Sequence, residues 1–354
     1  MLNVTEDQES YIHSRTQQMF AIVVMVLTVL VGVPGNMMVI WITSVRMKWT
    51  VNTIWFWNLA LADVTCCIFI PFSIAQLFHH EWLYGSGLCK VIPTIIHLTM
   101  FASVFTLVAI SVDRCLLVVQ PVWAQNHRTL RMAWILCLFI WMLSFVMCLP
   151  AVLYRKTFLF DNISICIYIF DDYMYMDYEN NDPQDYEHNA TNNSLLHYGT
   201  EEENMQIHPT ELIITYTRMV FGFLIPLLIV STSYFLLASK VQSTRLFKVG
   251  RKTTKVAFGI VVAFFITWAP YHIIGVTALY YFSPIINTLN GLSVALAYFN
   301  SCINPILYVF MGKNMKSRVR QTIRGIMQNA LSDEVSRSTE RTRSKLTNED
   351  SMAL

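Results

Sequence analysis

The chain has 354 residues, of which 55% are hydrophobic and only 14% are charged. A soluble domain carries roughly 25% charged residues, because it needs them to cover its surface. The formal net charge is only +2 at pH 7, which also excludes binding of nucleic acid through bulk positive charge. The composition therefore indicates a membrane protein.

Long segments with few or no charges predict where the chain crosses the membrane. A helix needs about 20 apolar residues to span the hydrocarbon core. The last segment is too long for one span and contains the turn signal Ser283-Pro284 near its middle. We therefore predict an all-α membrane protein, a bundle of seven transmembrane helices within residues 19–311. The segments are Thr16–Val45, Trp49–His80, Val91–Val112, Met132–Tyr154, Leu212–Ser239 and the two halves of Val256–Gly312.

The basic residues predict the orientation of the bundle. Of the 25 lysines and arginines, 20 belong to the tail and to the loops after spans one, three and five. Cytoplasmic loops carry such an excess, so residues 1–18 form an extracellular N-terminus and residues 312–354 a cytoplasmic tail. The tail begins with a basic amphipathic stretch, residues 312–327, which we expect to lie on the membrane as a short eighth helix.

Two kinds of residue agree with this orientation. Glycosylation sequons occur only in predicted outer segments, at Asn3, Asn162, Asn189 and Asn192. Of eight cysteines, only Cys89 and Cys166 lie in or next to outer loops, which predicts a disulfide in the oxidising compartment. The other six cysteines are predicted to be small buried residues of the spans.

Several polar residues lie at depths where the membrane is apolar. Asp63 is in span two, and its possible partners are Asn36, Ser103, Asn300 and Asn304. A charged group in hydrocarbon is costly and marks a functional candidate. Two interpretations stay open: the cluster holds a small cation such as an allosteric sodium ion, or it is a structural hydrogen-bonded network.

The loop between spans four and five, residues 155–209, is long and acidic. Between residues 157 and 217 there are twelve acids and no lysine or arginine, and Tyr173, Tyr175 and Tyr178 alternate with acids. A negative outer face attracts a cationic ligand, although a solvated, glycosylated loop without a ligand role has the same composition. Arg218 is the only charge in span five, which favours a position in a ligand pocket.

Short motifs in successive spans carry a family resemblance. They are Gly35-Asn36, Leu59–Asp63, Cys89, Asp113–Cys115, Trp268–Pro270 and Asn304–Tyr308. Over residues 19 to about 325 the chain resembles the class A (rhodopsin-like) G-protein-coupled receptors. Among them it is most similar to chemoattractant receptors of the complement three-a anaphylatoxin type, in segments such as Thr50–Trp55, Met100–Phe105 and Ile214–Arg218.

The resemblance implies a mechanism of activation. A cationic peptide or protein ligand, a complement anaphylatoxin, would bind from outside and move the cytoplasmic end of span six outward. Arg114 would then leave Asp113 and meet Tyr234 and Tyr308, which opens a cavity for a G protein of the inhibitory class. The remaining switch residues are Trp268, Pro270, Asn304 and Pro305.

The resemblance also implies modifications and further partners. In this receptor branch, tyrosines of the acidic second loop are sulfated and engage a basic protein ligand, which assigns that role to Tyr173, Tyr175 and Tyr178. Serines and threonines beyond residue 331 form a phosphorylatable tail for receptor kinases and arrestin.

The chain departs from the family where the ligand's C-terminal arginine is expected to bind. By resemblance, Arg218 holds the carboxylate of that arginine, and an acid near the top of span seven holds its guanidinium. This chain has Asn290 at the second position, and Glu211, two turns above Arg218, is the candidate replacement. At the foot of span six, Gly250 offers no acid to restrain Arg114, which predicts a low barrier to basal activity.

Other functions are less compatible with the sequence. A retinal-binding opsin needs a lysine in span seven, and no lysine lies between Lys255 and Lys313. Neither the charge pattern of a transporter nor the catalytic groups of an intramembrane protease are present, so we expect no enzyme activity. The open alternatives concern the ligand: a receptor for formylated or other chemotactic peptides, or a scavenging receptor that does not signal.

Overall fold

The computed structural model describes the backbone of residues 2–79, 81–160, 163–170, 208–243, 251–281 and 283–311, and of Gln321 and Gln328. Most side chains from Arg15 to Pro305 within these ranges are described as well. Several predicted features lie outside the described residues: the sequons at Asn162, Asn189 and Asn192, the loop tyrosines Tyr173, Tyr175 and Tyr178, the eighth helix and the tail. The side chains of Asn3 and Tyr308 are also outside them.

Seven long helices occupy the predicted spans. Six contain a segment long and apolar enough to cross a membrane, and the seventh has 28 residues. Spans two to four are Val51–His79, Gly85–Val119 and Leu130–Tyr154, and spans six and seven are Arg251–Tyr280 and Pro284–Met311. Span one, Leu2–Trp41, ends in a π-helical turn, Ile42–Arg46. Span five consists of Pro209–Met219, a π-helical turn over Val220–Leu224, and Ile225–Ser243.

Most of these helices extend beyond the segments predicted from charge. Span three continues to Val119, so Asp113 and Arg114 lie inside its last two turns rather than at its end. A charge scan finds only the hydrocarbon-embedded part of a helix, since the turns at the membrane surface can carry charges. A short loop helix, Pro121–His127, follows, and it begins with proline, whose fixed φ suits the first helical position.

The π-helical turn in span five lies directly before Pro226. Proline has no N–H group to donate, so a carbonyl group in the preceding turn loses its usual helical hydrogen bond. A π-helical turn pairs carbonyl groups with N–H groups five residues later instead of four, which changes which carbonyl group lacks a partner. Within this turn Gly222 faces span three, where an added Cβ atom would lie 3.3 Å from the Phe101 ring. The turn therefore brings the backbone of span five close to span three.

Amide side chains join the helices at two buried points. Asn36 donates from Nδ2 to the Ser301 carbonyl at 2.8 Å, which connects spans one and seven. Asn58 donates to Thr106 Oγ1 at 2.7 Å and accepts from Trp141 Nε1 at 2.9 Å, which connects spans two, three and four. Both polar ends of the Asn58 amide therefore have a partner, whereas Asn36 Oδ1 is buried without one among the described residues.

A β-hairpin forms the first part of the long outer loop, which the sequence analysis treated as irregular. Strands β1 (Arg155–Phe160) and β2 (Ile163–Tyr168) pair antiparallel, with Thr157 opposite Cys166. Two runs rich in aromatic and β-branched residues flank Asp161-Asn162, residue types common in tight turns, so the sequence contained a hairpin signal.

The predicted disulfide between Cys89 and Cys166 is confirmed, with Cα atoms 5.7 Å apart. It attaches β2 to the outer end of span three. The Trp82 amide donates to the Ser164 carbonyl at 2.6 Å and fixes the same strand to the first outer loop. The hairpin is therefore held over the outer end of the bundle. The other six cysteines are free and buried, as predicted.

Gly32 lies where span one packs closely against span two. A Cβ atom added there would lie 2.5 Å from Cys67 Sγ, whereas a Cβ atom added to Gly291 meets nothing within 4 Å. We expect Gly32→Ala to destabilise the receptor by about 1–3 kcal/mol, the usual range for overpacking. Gly291→Ala should be neutral or slightly stabilising, since alanine favours helix.

Thermal unfolding of the detergent-purified receptor checks this expectation. Because the clash is with the sulfur atom, the double variant Gly32→Ala/Cys67→Ala should recover much of the lost stability. Equal stability of the two single variants would contradict the close packing of spans one and two.

Candidate functional site

A cavity of about 380 Å³ opens at the outer end of the bundle. Spans two, three, five, six and seven and the base of the hairpin form its walls. Its charged and strongly polar lining residues are Gln76, His97, Arg155, Glu211, Arg218, His272 and Asn290. Three of them, Glu211, Arg218 and Asn290, were predicted as ligand-binding residues, and the structure brings these three to one cavity.

Arg218 is held by two uncharged partners. Its Nη1 donates to Tyr271 Oη at 2.8 Å and to His97 Nε2 at 2.9 Å. The other ring nitrogen of His97, Nδ1, lies 2.7 Å from the Pro93 carbonyl, which can only accept, so Nδ1 carries the hydrogen and Nε2 is free to accept. Arg218 has no ion pair with any described carboxylate. Its charge is thus solvated by neutral groups and is available to an anion.

Arg155 is a second cation in the cavity wall. Its Nη1 donates to the Cys166 carbonyl at 3.0 Å, and its guanidinium lies over the Tyr168 ring, 4.3 Å from the centroid. Its Nε is buried without a partner among the described residues. The sequence analysis counted Arg155 only as a loop residue. Its position directly after span four was the signal that could have indicated the pocket.

The floor of the cavity contains two nitrogen atoms without partners in the described part of the chain. They are Trp268 Nε1 and His272 Nε2, and both side chains are buried. Trp268 was predicted as a switch residue, and it stacks on Phe264 with ring centroids 5.8 Å apart. His272 was not predicted. A ligand that reaches this depth meets groups able to form hydrogen bonds.

A polar cluster around Asp63 lies below the cavity. Asn304 Nδ2 donates to Asp63 Oδ2 at 2.7 Å, and Ser103 Oγ lies 3.4 Å from Asp63 Oδ1. Asn300 faces Thr267 instead, and Asn36 bonds to backbone carbonyls. The structure thus brings together three of the five polar residues predicted for this cluster: Asp63, Ser103 and Asn304. Asn304 Oδ1 is buried without a described partner, so a carboxylate, a hydroxyl and a free amide oxygen are available to a small cation.

At the cytoplasmic side, Asp113 forms its ion pair with Arg128 and not with the adjacent Arg114. Arg128 Nε donates to Asp113 Oδ1 at 2.7 Å, and Arg128 Nη2 to Oδ2 at 3.1 Å. Consecutive residues on a helix point about 100° apart, so Asp113 faces the loop that contains Arg128 while Arg114 faces the bundle. The local pairing of Asp113 with Arg114 that we expected is therefore not present.

Arg114 is held by an amide on span two. Its Nη2 donates to Asn52 Oδ1 at 2.8 Å, and Arg128 Nη2 donates to the same oxygen. Arg114 Nε and the Tyr234 hydroxyl are both buried without partners among the described residues. The contacts of Asn52 and Arg128 with this pair were not predicted from the sequence, because they depend on the docking of a loop. Pro270 and Pro305 lie inside continuous helices.

Comparison with known proteins agrees with this architecture. The family model of the seven-transmembrane receptors of the rhodopsin family matches residues 35–182 and 173–308. The chain is 41% identical to the C3a anaphylatoxin chemotactic receptor of Oncorhynchus mykiss over 91% of this chain and 81% of the relative. It is 34% identical to the receptor of the same name from Homo sapiens, over 90% and 92%. It is 33% identical to the Chemerin-like receptor 1 of Sus scrofa, over 95% and 88%.

The family model covers most of the bundle, and these relatives align with 90–95% of the chain. The proteins concerned are receptors and not enzymes, and they cross the plasma membrane several times. The chain belongs to the rhodopsin family of seven-transmembrane, G-protein-coupled receptors.

Proposed function

We propose that this receptor binds the three-a fragment of complement and signals chemotaxis and inflammation through a G protein of the inhibitory class. The observation that carries the proposal is the half-buried side chain of Arg218, which has no described counter-ion and lines an outward-facing cavity. The names of relatives that the chain covers almost completely point to the same ligand.

The cavity fits a peptide that ends in a carboxylate. A carboxylate accepts two parallel hydrogen bonds from an arginine, and both described bonds of Arg218 use Nη1 alone. Arg155 adds a second positive charge in the same wall. Since the described partners of Arg218 are neutral, a carboxylate of the ligand would supply the opposite charge that this arginine lacks in the free receptor.

The cationic part of the ligand has a different partner. Glu211 is the acid in the described lining of the cavity, and the outer loop adds many more acids along the sequence. We assign the guanidinium of a C-terminal arginine to Glu211, with Asn290 as an uncharged hydrogen-bonding partner. In this proposal Tyr173, Tyr175 and Tyr178 are sulfated and engage the basic surface of the ligand.

The cytoplasmic contacts support a two-state switch. In the proposed active state, span six moves outward and Arg114 exchanges Asn52 for Tyr234 and Tyr308. The Arg114 Nε and the Tyr234 hydroxyl have no partner among the described residues, so this exchange adds hydrogen bonds without breaking an ion pair. The opened cavity receives the G protein, and the phosphorylated tail then recruits arrestin.

The Asp63 cluster is assigned to an allosteric sodium ion. Asp63, Ser103 and Asn304 would hold the ion, and Asn300 would join them after a change of side-chain rotamer. A bound cation neutralises Asp63 and joins spans two, three and seven, so it favours the packing seen here over an opened bundle.

The main experiment measures inhibition of cyclic-AMP accumulation in cells that express the receptor. We expect a response to the three-a fragment and a weaker or absent response to its des-arginine form, because the arginine carries the charge that Glu211 receives. Equal responses to the two forms would remove the arginine contact from the proposal. Silence to both, with surface expression verified, would assign the receptor to another chemotactic peptide.

Arg218→Ala should lower the affinity for the fragment at least about 30-fold. Truncating one partner of a buried charged pair costs about 2–5 kcal/mol. Arg218→Lys keeps the charge but loses the bidentate geometry, so its affinity should fall between those of the wild type and the alanine variant. Radioligand binding on membranes is the measurement, and unchanged affinity of Arg218→Ala would refute the carboxylate contact.

A pair of substitutions tests which acid binds the guanidinium of the ligand's C-terminal arginine. Glu211→Gln should weaken the preference for the intact fragment over its des-arginine form. Asn290→Asp should strengthen that preference, because it adds an acid to the opposite wall of the same cavity. Concentration–response curves for both forms give the ratio, and a ratio that Glu211→Gln leaves unchanged would exclude Glu211.

The role of Asn52 is tested by basal signalling without ligand. Asn52→Ala removes an acceptor shared by Arg114 and Arg128, and hydrogen bonds to charged groups contribute about 1.5–3 kcal/mol each. We expect several-fold higher basal nucleotide exchange on the G protein. Asn52→Asp, which keeps the acceptor and adds a negative charge, should lower it. Equal basal rates in all three receptors would show that Asn52 does not restrain Arg114.

A further inference from the structure

A second cavity of about 220 Å³ lies beside the first, between spans three, four and five. It is separate from the ligand cavity described above and contains none of the predicted binding residues except Arg218. Its apolar lining residues are Phe101, Met147, Cys148, Pro150, Ala151, Ile213 and Ile214.

The cavity exists because of how three helices pack. Spans four and five both pack closely on span three, but they scarcely touch each other in the described part of the chain. Small side chains keep the resulting cleft open on the side of span four, where Cys148 and Ala151 line it. Both residues are almost completely buried, at 1% and 3% exposure.

His97, Tyr168 and Arg218 line both cavities, so their side chains form the partition between them. Within this partition, Arg218 Nη1 donates a hydrogen bond to His97 Nε2 at 2.9 Å. An anion that binds Arg218 is therefore at the junction of the two cavities. A group attached to that anion can enter either one.

The two cavities differ in the chemistry that they can accept. The first contains Glu211 and polar groups, whereas the described lining of the second has no carboxylate and is mostly hydrocarbon and sulfur. A cationic group in the second cavity would lose its hydration and would meet no carboxylate in the described lining. An apolar cavity of about 150 Å³ already holds a benzene molecule, so this one is large enough for a leucine or phenylalanine side chain.

We propose that the cavity between spans three, four and five is an apolar compartment of the ligand site. It takes one leucine-sized or phenyl-sized side chain of the peptide whose C-terminal carboxylate is held by Arg218. The receptor then selects peptides with an apolar residue near a terminal arginine, because each of the two side chains has its own compartment. This inference rests on the proposed function and adds a specificity element to it.

Cys148 provides a direct test, because its thiol lines the compartment. Membranes containing the receptor are treated with benzyl methanethiosulfonate, a small apolar thiol reagent, and labelled cysteines are quantified by mass spectrometry. We expect Cys148 to be labelled in the free receptor and at least several-fold more slowly when the three-a fragment is bound. Cys137 is the matched control, since it is buried in the same span and lines neither cavity.

The possible results distinguish failure of the compartment from failure of the proposed function. Binding of labelled fragment is measured on the same membranes. If the fragment binds but Cys148 is labelled at the same rate with and without it, the compartment is wrong and the proposed function stands. If Cys148 is not labelled in the free receptor, the compartment is also refuted. If the fragment does not bind, the proposed function fails, and the inference fails with it.

A second variant tests the compartment through affinity. Ala151→Leu places a side chain in the cavity and should weaken binding of the fragment about 10- to 100-fold, which is what burial of one leucine-sized group contributes. Leu153→Phe, on the exposed side of the same span, should leave the affinity unchanged. Thermal stability of both variants shows that they are folded, and unaltered affinity of a folded Ala151→Leu receptor would overturn the proposal.

Discussion

A half-buried positive charge without a carboxylate partner among the described residues is the constraint on which the outer half of this receptor depends. Arg218 is placed in the bundle by span five, and the described residues solvate it only with a phenol and a neutral imidazole. These partners fix its position but do not neutralise it. The walls of two cavities meet at this side chain, so an anion bound to it would lie next to both of them.

The cytoplasmic half of the bundle also contains an arginine that is held by a neutral group. Arg114 is buried and held by the amide oxygen of Asn52, while the nearby carboxylate of Asp113 is occupied by Arg128. At both ends, an arginine is therefore held by a neutral acceptor. Such a contact is weaker than a buried ion pair, so its exchange for another partner requires less free energy. This property suits a protein that passes between two packings of the same helices.

The sequence predicted the features that depend on composition and on chain order. Seven spans, the disulfide between Cys89 and Cys166, and the burial of the other cysteines follow from hydrophobicity, length and compartment chemistry. The contact of Asp63 with Asn304 was also within reach, because polar groups in hydrocarbon must find one another.

Other features could not be predicted, because they are decided by packing. The pairing of Asp113 with Arg128 needs a loop helix to dock beside span three, and no periodicity in the sequence encodes that docking. The cleft behind His97 arises from two helices that fail to meet, a property of neither helix alone. The position of Arg155 in a cavity wall could not be predicted either, because it depends on how the strand that begins at this residue packs on the bundle.

The π-helical turn in span five also sets the angular relation between the two faces of the receptor. One such turn contains one residue more than an α-helical turn, and each residue corresponds to about 100° of rotation. In an unbroken α-helix, Arg218 would therefore be rotated by roughly that angle relative to Tyr234, on the cytoplasmic half of the same span. With Val220–Leu224 in the π conformation, Arg218 faces the outer cavity while Tyr234 packs against Phe258 of span six. The outer and cytoplasmic halves of span five are thus two helices rotated relative to each other about the helix axis, and the short π-helical segment between them sets the angle of that rotation.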